Sequence, residues 1–448
     1  MKGDSEKILT AAASALREWY NGSVTLDDCV EHVRAAEPEA ARSVASILFE
    51  YFRHKELVDS LLMRSVSRGI KPELKMIGLC ALTQALFQTA IAGESAVNIA
   101  VDVVKHSKKH RMASGFMNAV LRNALRSAGK GPFEPSFPPE IRRRWEAQFG
   151  QEATEQAVAA CGANPPLTFR LRSGELPAEL AESVPVELDF AGDFRFFECS
   201  DPGKLFASDT FRNGAIYIQD PATSMSVSLC RPALRGRVLD SCAAPGGKTV
   251  MLFDACGGNA EFTAADRSAA RLKPMRENFT RLGLESVKTA EADAVHPPFD
   301  AESFDLVFLD VPCSNTGVPR RRPDALRRFD AKRLNEVAAL QKQILNAQIR
   351  LVKPGGHLLY STCSVEAEED EQQVASFLAA HPECELVSQR RLLPAVHHDG
   401  AFAALIRKNG LKNAQSRRSF SIPETARFCF PQICFSSLPP ESWKPRQP

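Results

Sequence analysis

The 448-residue sequence lacks several features that would place it in a specialised class of protein. Its 12 cysteines never occur as Cys-x-x-Cys, which argues against a zinc ribbon and against a disulfide-stapled miniprotein. The 56 Lys and Arg residues are balanced by 54 Asp and Glu residues, which excludes a histone-like polycation. Because 44% of the residues are hydrophobic, a disordered or collagen-like chain is also excluded, and the length predicts two or three domains.

Long apolar runs are missing as well. The most apolar stretch, residues 76–92, is interrupted by Thr83 and Gln84, which is typical of an amphipathic core helix rather than a membrane span. The N-terminal residues include Asp4 and Glu6 and no apolar segment, so no secretory signal is expected. The sequence therefore predicts a cytoplasmic protein with reduced thiols, no membrane segment and no bound metal.

Changes in pattern along the chain predict a multidomain protein. Residues 1–130 repeat apolar positions every three or four residues and predict an all-α domain. After a Gly- and Pro-rich linker, residues 139–212 predict a small α+β module. In residues 213–408, apolar runs that end in polar residues alternate with helical patterns, which predicts a doubly wound parallel α/β sheet with its site at the strand ends. The basic residues 409–448 predict a loosely ordered tail.

A Gly-Gly turn follows the first strand of the predicted α/β sheet. Residues 240–249 read DSCAAPGGKT, and paired glycines let backbone N–H groups approach a ligand at a helix N-terminus. Gly247, Lys248 and Thr249 also match the end of a phosphate-binding P-loop. That motif requires Gly, or loosely Ala, five residues before Gly247, where this chain has Cys242, so the P-loop interpretation fails.

Aspartates end successive predicted strands of the same sheet. Asp266 lies where nucleotide-binding α/β folds place a carboxylate on a ribose diol, and Asp293 ends the next predicted strand. A carboxylate accepts hydrogen bonds from ribose hydroxyls and from an adenine amino group. An aspartate at a strand end is often only a helix cap. Asp240, Asp266 and Asp293 in successive units, beside a Gly-Gly turn, favour an adenosine-containing cofactor.

Two cysteines follow adjoining predicted strands. Cys313 lies three residues after Asp310, and Cys363 lies in the segment YSTCS. A single cysteine usually packs as a small apolar residue, but two at neighbouring strand ends indicate chemistry. Methylation of carbon 5 of a pyrimidine requires such groups, because that carbon becomes nucleophilic only after a thiolate adds at carbon 6. Asp310 would hydrogen-bond the base edge as acid and orienting group, while spacing alone leaves the roles of the two cysteines open.

These motifs resemble the Sun (Fmu, RsmB) group of bacterial RNA 5-methylcytosine methyltransferases, which use S-adenosylmethionine. The resemblance covers residues from about 5 to 408, and the N-terminal segment resembles the NusB fold, most clearly at residues 118–122. Asn315 stands where this group commonly has Gly. The strongest matches are residues 219–222, 240–249, 309–328 and 351–371.

The resemblance implies a role for each candidate residue. Cys363 would be the nucleophile, Cys313 would assist product release, and Asp310 would lie beside cofactor and base. Asp266 would bind the cofactor ribose and Asp293 its adenine. The cofactor loop would consist of Cys242, Ala243, Ala244, Pro245, Gly246, Gly247 and Lys248.

The implied function is methylation of carbon 5 of a cytosine in 16S ribosomal RNA, for which the group's usual target is cytosine 967. The middle module is expected to help hold RNA, and Arg320, Arg321 and Arg322 would contact phosphates at the mouth of the site unless they form only a solvated turn. A basic run that includes Lys105 and Arg111 fits either a solvated helix face or a phosphate-contacting patch. The N-terminal domain would bind RNA or another protein.

Two alternative functions stay open at this point. One is a methyltransferase that acts on transfer RNA, which only the NusB-like segment argues against. The other is a non-catalytic RNA-binding assembly factor, which would have no need of Asp310, Cys313 or Cys363.

Overall fold

The computed structural model describes residues 2–410 apart from residues 23, 90, 130 and 132. The predicted tail therefore lies, from residue 411 onward, outside the described residues. In the described part of the chain, the N-terminal region is made of α-helices: α1 (Lys2–Tyr20), α2 (Leu26–Ala36), α3 (Pro38–Arg53), α4 (Lys55–Arg64), α5 (Pro72–Phe87), α6 (Gly93–His106) and α7 (Ser114–Ala128).

Local sequence explains where several of these helices begin. The Thr25 side chain caps the first turn of α2 by accepting from the backbone N–H of Asp28, whose carboxylate accepts from the Thr25 N–H in return. Helices α3 and α5 begin at Pro38 and Pro72, where the missing backbone donor has no cost. Buried apolar residues of α1 to α7 form one core cluster around α5. The predicted all-α fold of this region is confirmed.

The middle region combines helices with a small antiparallel sheet. Strand β4 (Ile216–Ile218) lies beyond the predicted boundary at residue 212. It pairs with β1 (Thr168–Leu171) through Phe169–Ile218 and Leu171–Ile216. The strand order is β2-β3-β1-β4. The division of the chain into domains stays a prediction. The elements of this region are α8 (Pro139–Phe149), α9 (Gln151–Gly162), β1 (Thr168–Leu171), β2 (Val184–Val186), β3 (Arg195–Glu198), α10 (Pro202–Ala207), α11 (Asp209–Arg212) and β4 (Ile216–Ile218).

The remaining described residues form an α/β sheet flanked by helices. The strand order is β10-β11-β9-β8-β5-β6-β7. Short 3-10 helices lie in this region at Arg231–Ala233, Ala325–Arg327 and Ile349–Leu351, and earlier in the chain at Arg111–Ala113 and Ala178–Leu180. The α-helices and strands are α12 (Thr223–Cys230), β5 (Gly236–Asp240), α13 (Gly247–Cys256), β6 (Ala260–Asp266), α14 (Ala269–Arg281), β7 (Lys288–Glu291), β8 (Phe304–Asp310), α15 (Ala331–Gln348), β9 (Val352–Thr362), α16 (Glu371–Ala380), β10 (Cys384–Leu392) and β11 (Ala401–Lys408).

The topology confirms the predicted α/β class and modifies it at one edge. Strands β7, β6, β5, β8 and β9 run parallel, whereas β11 is antiparallel to both β9 and β10. A short connection suffices between β10 and β11, because antiparallel neighbours need no crossover helix. The order of the strands reverses between β5 and β8, and in such sheets ligands bind at the crevice beyond the carboxyl ends of those strands.

The N-terminal helices contact the segment that follows the β8 loop. The carboxylate of Asp324 accepts hydrogen bonds from the indole of Trp19 and the backbone of Leu26, both at 3.1 Å. Arg327 forms an ion pair of 2.9 Å with Glu56. These contacts bring the helical region against the rim of the α/β sheet. No helix in the described part of the chain is long and apolar enough to cross a bilayer.

Truncating a central strand residue should destabilise the protein strongly. Leu239 on β5 is fully buried, so Leu239→Ala is expected to lower the free energy of unfolding by about 2–5 kcal/mol through lost burial and the cavity left behind. Leu386 on the edge strand β10 is 39% exposed, and Leu386→Ala should cost less than about 1 kcal/mol. Urea denaturation of both variants measures the difference, and equal costs would contradict this description of the core.

Candidate active site

The predicted cofactor loop, residues 242–248, connects β5 to α13 in a tight conformation and includes the first two residues of α13. Gly246 has a φ of 100°, and a Cβ there would lie 2.8 Å from the ring of Phe279 and 2.9 Å from Met275. The Ala243 N–H donates to Ala265 O at 2.9 Å, and the Gly246 N–H donates to Ala243 O at 2.7 Å. The loop therefore passes over the end of β6 and presents the N-terminus of α13 to the crevice, as expected for a ligand-binding turn.

Lys248 and Asp310 form an ion pair at the point where the strand order reverses. The Nζ atom of Lys248 contacts the carboxylate of Asp310, and the Ser361 hydroxyl donates to the same carboxylate at 3.2 Å. Burial alone would lower the pKa of Lys248, but Asp310, Cys363 and Asp240 together raise it above its ordinary value. Lys248 is thus a firmly protonated group beside Asp310, whose side chain is 35% exposed.

The two predicted cofactor carboxylates differ in their surroundings. Asp266 is buried at the end of β6, where it accepts from the Ala244 N–H at 3.2 Å and the Ser268 N–H at 3.1 Å. Asp293 lies two residues beyond the end of β7, and half of its side chain is exposed. Hydrogen bonds from His296 and the Val295 N–H lower the pKa of Asp293. Both carboxylates lie at carboxyl ends of strands, on the same edge of the sheet as the cofactor loop.

Burial dominates the electrostatics behind the loop. Asp240 accepts from the Thr249 hydroxyl at 2.6 Å, while its Oδ1 atom has no hydrogen-bond partner among the described residues. Burial raises the pKa of Asp240 to about 7, with a smaller contribution from Asp310. Burial likewise raises the pKa of the Cys242 thiol, so Cys242 is held in its neutral form.

The two predicted catalytic cysteines meet. Cys313 follows β8, Cys363 follows β9, and their Sγ atoms lie 2.9 Å apart although 50 residues separate them in the chain. The hydrogen bond to Cys363 and burial together raise the pKa of Cys313 well above its ordinary value. Cys313 is therefore held as a thiol.

A buried carboxylate joins the loops that carry these cysteines. Glu369 accepts from the backbone N–H of Ser314 at 2.8 Å and from the hydroxyl of Ser364 at 2.6 Å, and the Ser314 hydroxyl also donates to it. The amide of Gln341 donates to the same carboxylate at 3.0 Å. Because Ser314 and Ser364 directly follow the two cysteines, Glu369 fixes both loops at once.

Asn315 contacts the sulfur of Cys363 directly. Its φ of 61° places the backbone in the left-handed region, which Asn tolerates better than most residues. Its Oδ1 atom accepts from the Cys363 thiol at 3.0 Å, and its Nδ2 atom donates to Cys313 O at 3.1 Å. Sequence patterns gave no sign of this contact.

The predicted phosphate contact of Arg320 is wrong, whereas that of Arg321, whose side chain is 34% exposed, stays a prediction. Arg320 is buried and binds the carboxylate of Asp399 at 3.3 Å and Val396 O at 2.7 Å. Arg321 binds Asp399 at 2.8 Å and Asp220 at 2.9 Å. Charged residues that follow a catalytic loop look solvated in sequence, but here carboxylates from distant segments neutralise them. The side chain of Arg322, in contrast, is 47% exposed.

No group of three or more His, Cys, Asp or Glu side chains within residues 2–410 has the arrangement of a metal site. The site is therefore described by its thiols, carboxylates, Lys248 and Asn315.

Comparison with known proteins decides the family. The family model "16S rRNA methyltransferase RsmB/F" matches residues 227–405, and the NusB family model matches residues 7–126. Ribosomal RNA small subunit methyltransferase B from Pseudomonas putida is 31% identical over 389 residues, which cover 83% of this chain and 89% of that protein. The chain belongs to the RsmB/F family of 16S rRNA methyltransferases. The resemblance read from the motifs is confirmed.

Other similar proteins agree with this membership. A Vibrio cholerae protein named ribosomal RNA small subunit methyltransferase B is 28% identical over 434 residues, which cover 90% of this chain and 97% of that protein. The crystal structure of the protein PH0851 has a TM-score of 0.71 at 24% identity, covering 90% of this chain and 99% of that chain. The last likeness concerns the fold alone.

Sequence reasoning did not assign Glu369 or Asn315 to the site, and it did not predict the ion pair that Lys248 forms with Asp310. Glu369 and Asn315 hold the cysteines, and Lys248 pairs with Asp310 in addition to lying in the cofactor loop. A signal for Glu369 was present, because Ser314 and Ser364 each directly follow a cysteine and serine hydroxyls favour a shared acceptor. No comparable signal marked the contact of Asn315 with Cys363, since Cys363 lies on a different loop, 48 residues further along the chain.

The raised pKa of Asp240 predicts a pH-dependent stability. The unfolded carboxyl titrates near 3.8 and the folded one near 7, so the folded state binds more protons in this window. The stability that Asp240 contributes is present below about pH 4 and is lost as the pH rises through 7. We expect the free energy of unfolding of Asp240→Asn to rise, relative to that of the parent protein, by roughly 2 kcal/mol as the pH goes from 5 to 8. Urea denaturation across this pH range measures the change.

Asp305→Asn is the matched control for that experiment. Asp305 is partly buried, but hydrogen bonds from the Arg237 N–H and Lys353 keep its pKa below its ordinary value. Above pH 5, the free energy of unfolding of Asp305→Asn should therefore change with pH as it does in the parent protein. A parallel pH dependence for the parent protein and Asp240→Asn would show that Asp240 is not protonated in this window.

Proposed function

We propose that this protein transfers the methyl group of S-adenosylmethionine to carbon 5 of a cytosine in 16S ribosomal RNA, through a transient bond between Cys363 and carbon 6 of the base. One observation carries the proposal: the thiols of Cys313 and Cys363 lie 2.9 Å apart beside the ion pair of Lys248 and Asp310. Membership of the RsmB/F family supports a ribosomal RNA methyltransferase. The covalent route and the target cytosine are our inference from the thiols and from the motif resemblance.

The residues fit an adenosine-containing methyl donor. The cofactor loop brings the N-terminus of α13 to the crevice, and the orphaned Oδ1 atom of Asp240 lies directly behind that loop. Asp266 would bind ribose hydroxyls and Asp293 the adenine amino group. When bound, S-adenosylmethionine supplies an electrophilic methyl group.

The state of Cys313 supports Cys363 as the nucleophile. Only a thiolate adds readily to carbon 6, and the hydrogen bond to Cys363 and burial keep Cys313 protonated. Cys363 lies between Cys313 and Asn315, at 2.9 Å and 3.0 Å, so its sulfur is fixed in direction. The motif resemblance independently implies the same choice.

Asp310 and Lys248 would transfer a proton to and from the base. Asp310 would hydrogen-bond N3 and N4 of the cytosine and pass a proton to N3 as the Cys363 sulfur adds to carbon 6. That proton comes from the protonated Lys248 through the Asp310 carboxylate, and N3 returns it by the same path when carbon 5 takes the methyl group. Carbon 5 becomes nucleophilic through this addition and takes the methyl group.

Release requires loss of the carbon 5 proton and cleavage of the bond between sulfur and carbon 6. Cys313 would give its proton to the departing Cys363 sulfur and accept the proton from carbon 5, so that its own thiol is restored. The 2.9 Å contact between the sulfurs makes this exchange direct. Both cysteines end the cycle as thiols, and the proton that Cys363 gives up to solvent before its next addition is the one proton that the reaction releases.

The helical region offers part of an RNA-binding surface. Lys105, Lys108 and Arg111 are exposed around the end of α6, whereas Lys109 binds Glu73 at 3.1 Å. Exposed cations of this kind can neutralise RNA phosphates. Labelled S-adenosylmethionine with undermethylated 30S particles, free 16S RNA or transfer RNA would decide the substrate. Methylation of transfer RNA alone would overturn the ribosomal assignment.

Substitution of the two cysteines should have different consequences. Cys363→Ala is expected to abolish methyl transfer, by at least about 1,000-fold, and to leave cofactor affinity within about twofold of the parent value. Cys313→Ala should accumulate a covalent protein–RNA adduct that survives denaturing electrophoresis, because addition proceeds and release does not. Cys199→Ala, which alters a cysteine of the small sheet region, should change neither property. Activity in Cys363→Ala together with inactivity in Cys313→Ala would reverse the two roles.

Cofactor binding should depend on Asp266. Asp266→Ala is expected to raise the dissociation constant of S-adenosylmethionine by roughly 10- to 100-fold, because the ribose contact is lost. Glu291→Gln is the matched control, since Glu291 is an exposed carboxylate at the end of the neighbouring strand β7. Titration calorimetry measures both constants. Unchanged affinity in Asp266→Ala would show that this carboxylate serves only to fix the loop.

A further inference from the structure

Asn315 links the sulfur of Cys363 to a guanidinium group. Its Oδ1 atom accepts from the Cys363 thiol and from the Nη1 atom of Arg322, both at 3.0 Å. The amide cannot rotate freely, because its Nδ2 atom donates to Cys313 O. The sulfur and the Nη1 atom each lie 3.0 Å from one fixed oxygen, so they are no more than about 6 Å apart, where opposite charges still attract appreciably.

Arg322 is held from its other side by the N-terminal helical region. Its Nε atom lies 3.2 Å from the carboxylate of Asp27, at the start of α2. The adjacent hydrogen bonds from Trp19 and Leu26 to Asp324 keep α1 and α2 against this segment. Burial alone would lower the pKa of Arg322, but Cys363 and Asp27 raise it above its ordinary value.

We propose that Arg322 is a positioning residue of the methyl-transfer reaction: oriented by Asn315, it stabilises the thiolate of Cys363, and Asp27 from the helical region moderates its charge. This inference rests on the proposed function, in which Cys363 is the nucleophile. It assigns the N-terminal region a part in building the catalytic centre. The thiolate is the species that adds to carbon 6, so a cation beside it raises the reactive fraction of the enzyme.

Other charges also face Cys363 and set the background against which Arg322 acts. Lys248 approaches from α13, but its charge is offset by Asp310 at the end of β8. Cys313 is neutral, and the charge of Glu369 is shared among its hydrogen-bond donors. Arg322, unlike Lys248, is held by Asn315 and Asp27. Substitution of Arg322 or Asp27 can therefore separate its effect on the Cys363 thiolate from that of Lys248.

The test is the pH dependence of alkylation of Cys363 by iodoacetamide in the full-length protein. Peptide mass spectrometry reads Cys363 separately from Cys313. Arg322→Gln is expected to move the midpoint of the alkylation rate upward by about one pH unit and to slow alkylation at pH 7 about tenfold, because a cation near the thiolate is lost. Arg322→Lys keeps the charge, so its midpoint should lie closer to the parent value, with less than half of the shift seen in Arg322→Gln.

Substitution of Asp27 should act in the opposite direction. Asp27→Asn keeps an acceptor oxygen for Arg322 and removes the negative charge, so the midpoint should fall by a few tenths of a pH unit. Glu56→Gln is the matched control: Glu56 also pairs with an arginine of the same segment, Arg327, at 2.9 Å, but Arg327 donates its hydrogen bonds to Glu56 and Ser136 rather than to Asn315. This control should leave the midpoint unchanged.

Several results would overturn the inference. An unchanged midpoint in Arg322→Gln, no recovery in Arg322→Lys, or equal shifts in Asp27→Asn and Glu56→Gln would each do so. Alkylation requires neither RNA nor S-adenosylmethionine, so this measurement can succeed or fail separately from any test of the methylation reaction. If methylation maps to another base while these shifts occur, the proposed function fails and the role of Arg322 at the thiol stands.

Discussion

The buried carboxylate of Glu369 is the constraint on which the cysteine pair depends. It accepts hydrogen bonds from Ser314, Ser364 and Gln341, which come from two loops and a helix. Burial raises the pKa of Glu369, and these hydrogen bonds oppose that effect. A buried carboxylate without such donors would be costly, so the loops and the acid stabilise one another. The close approach of the two sulfurs follows from this arrangement.

The segment that follows β8, which carries Cys313, is held from outside the α/β sheet as well. The N-terminal helices bind Asp324 and Arg327, while Asp220 and Asp399 neutralise Arg320 and Arg321. Each of these partners comes from a different part of the chain, so the segment after β8 is fixed only when the whole protein has folded.

Much of the fold and part of the site were predictable from sequence. Apolar periodicity predicted the helical region and the α/β sheet, and the motif positions placed Asp310, Cys313 and Cys363 at strand ends, where the structure has them. The antiparallel β11 was not predicted, because a strand's direction does not appear in its own residues. The phosphate contact of Arg320 was predicted wrongly, since the side chain is buried against the carboxylate of Asp399, far along the chain.

What the sequence by itself determined is local: which segments form strands, where the Gly-Gly turn lies, and which polar residues follow each strand. Residue type and spacing are enough for these features, because backbone preferences and apolar periodicity act over a few residues. The tertiary structure alone decided that the two sulfurs lie 2.9 Å apart, that Asn315 binds one of them, and that Arg322 reaches Asp27. Those contacts join residues that are distant in the chain, and only strand pairing and helix docking bring them within hydrogen-bond range.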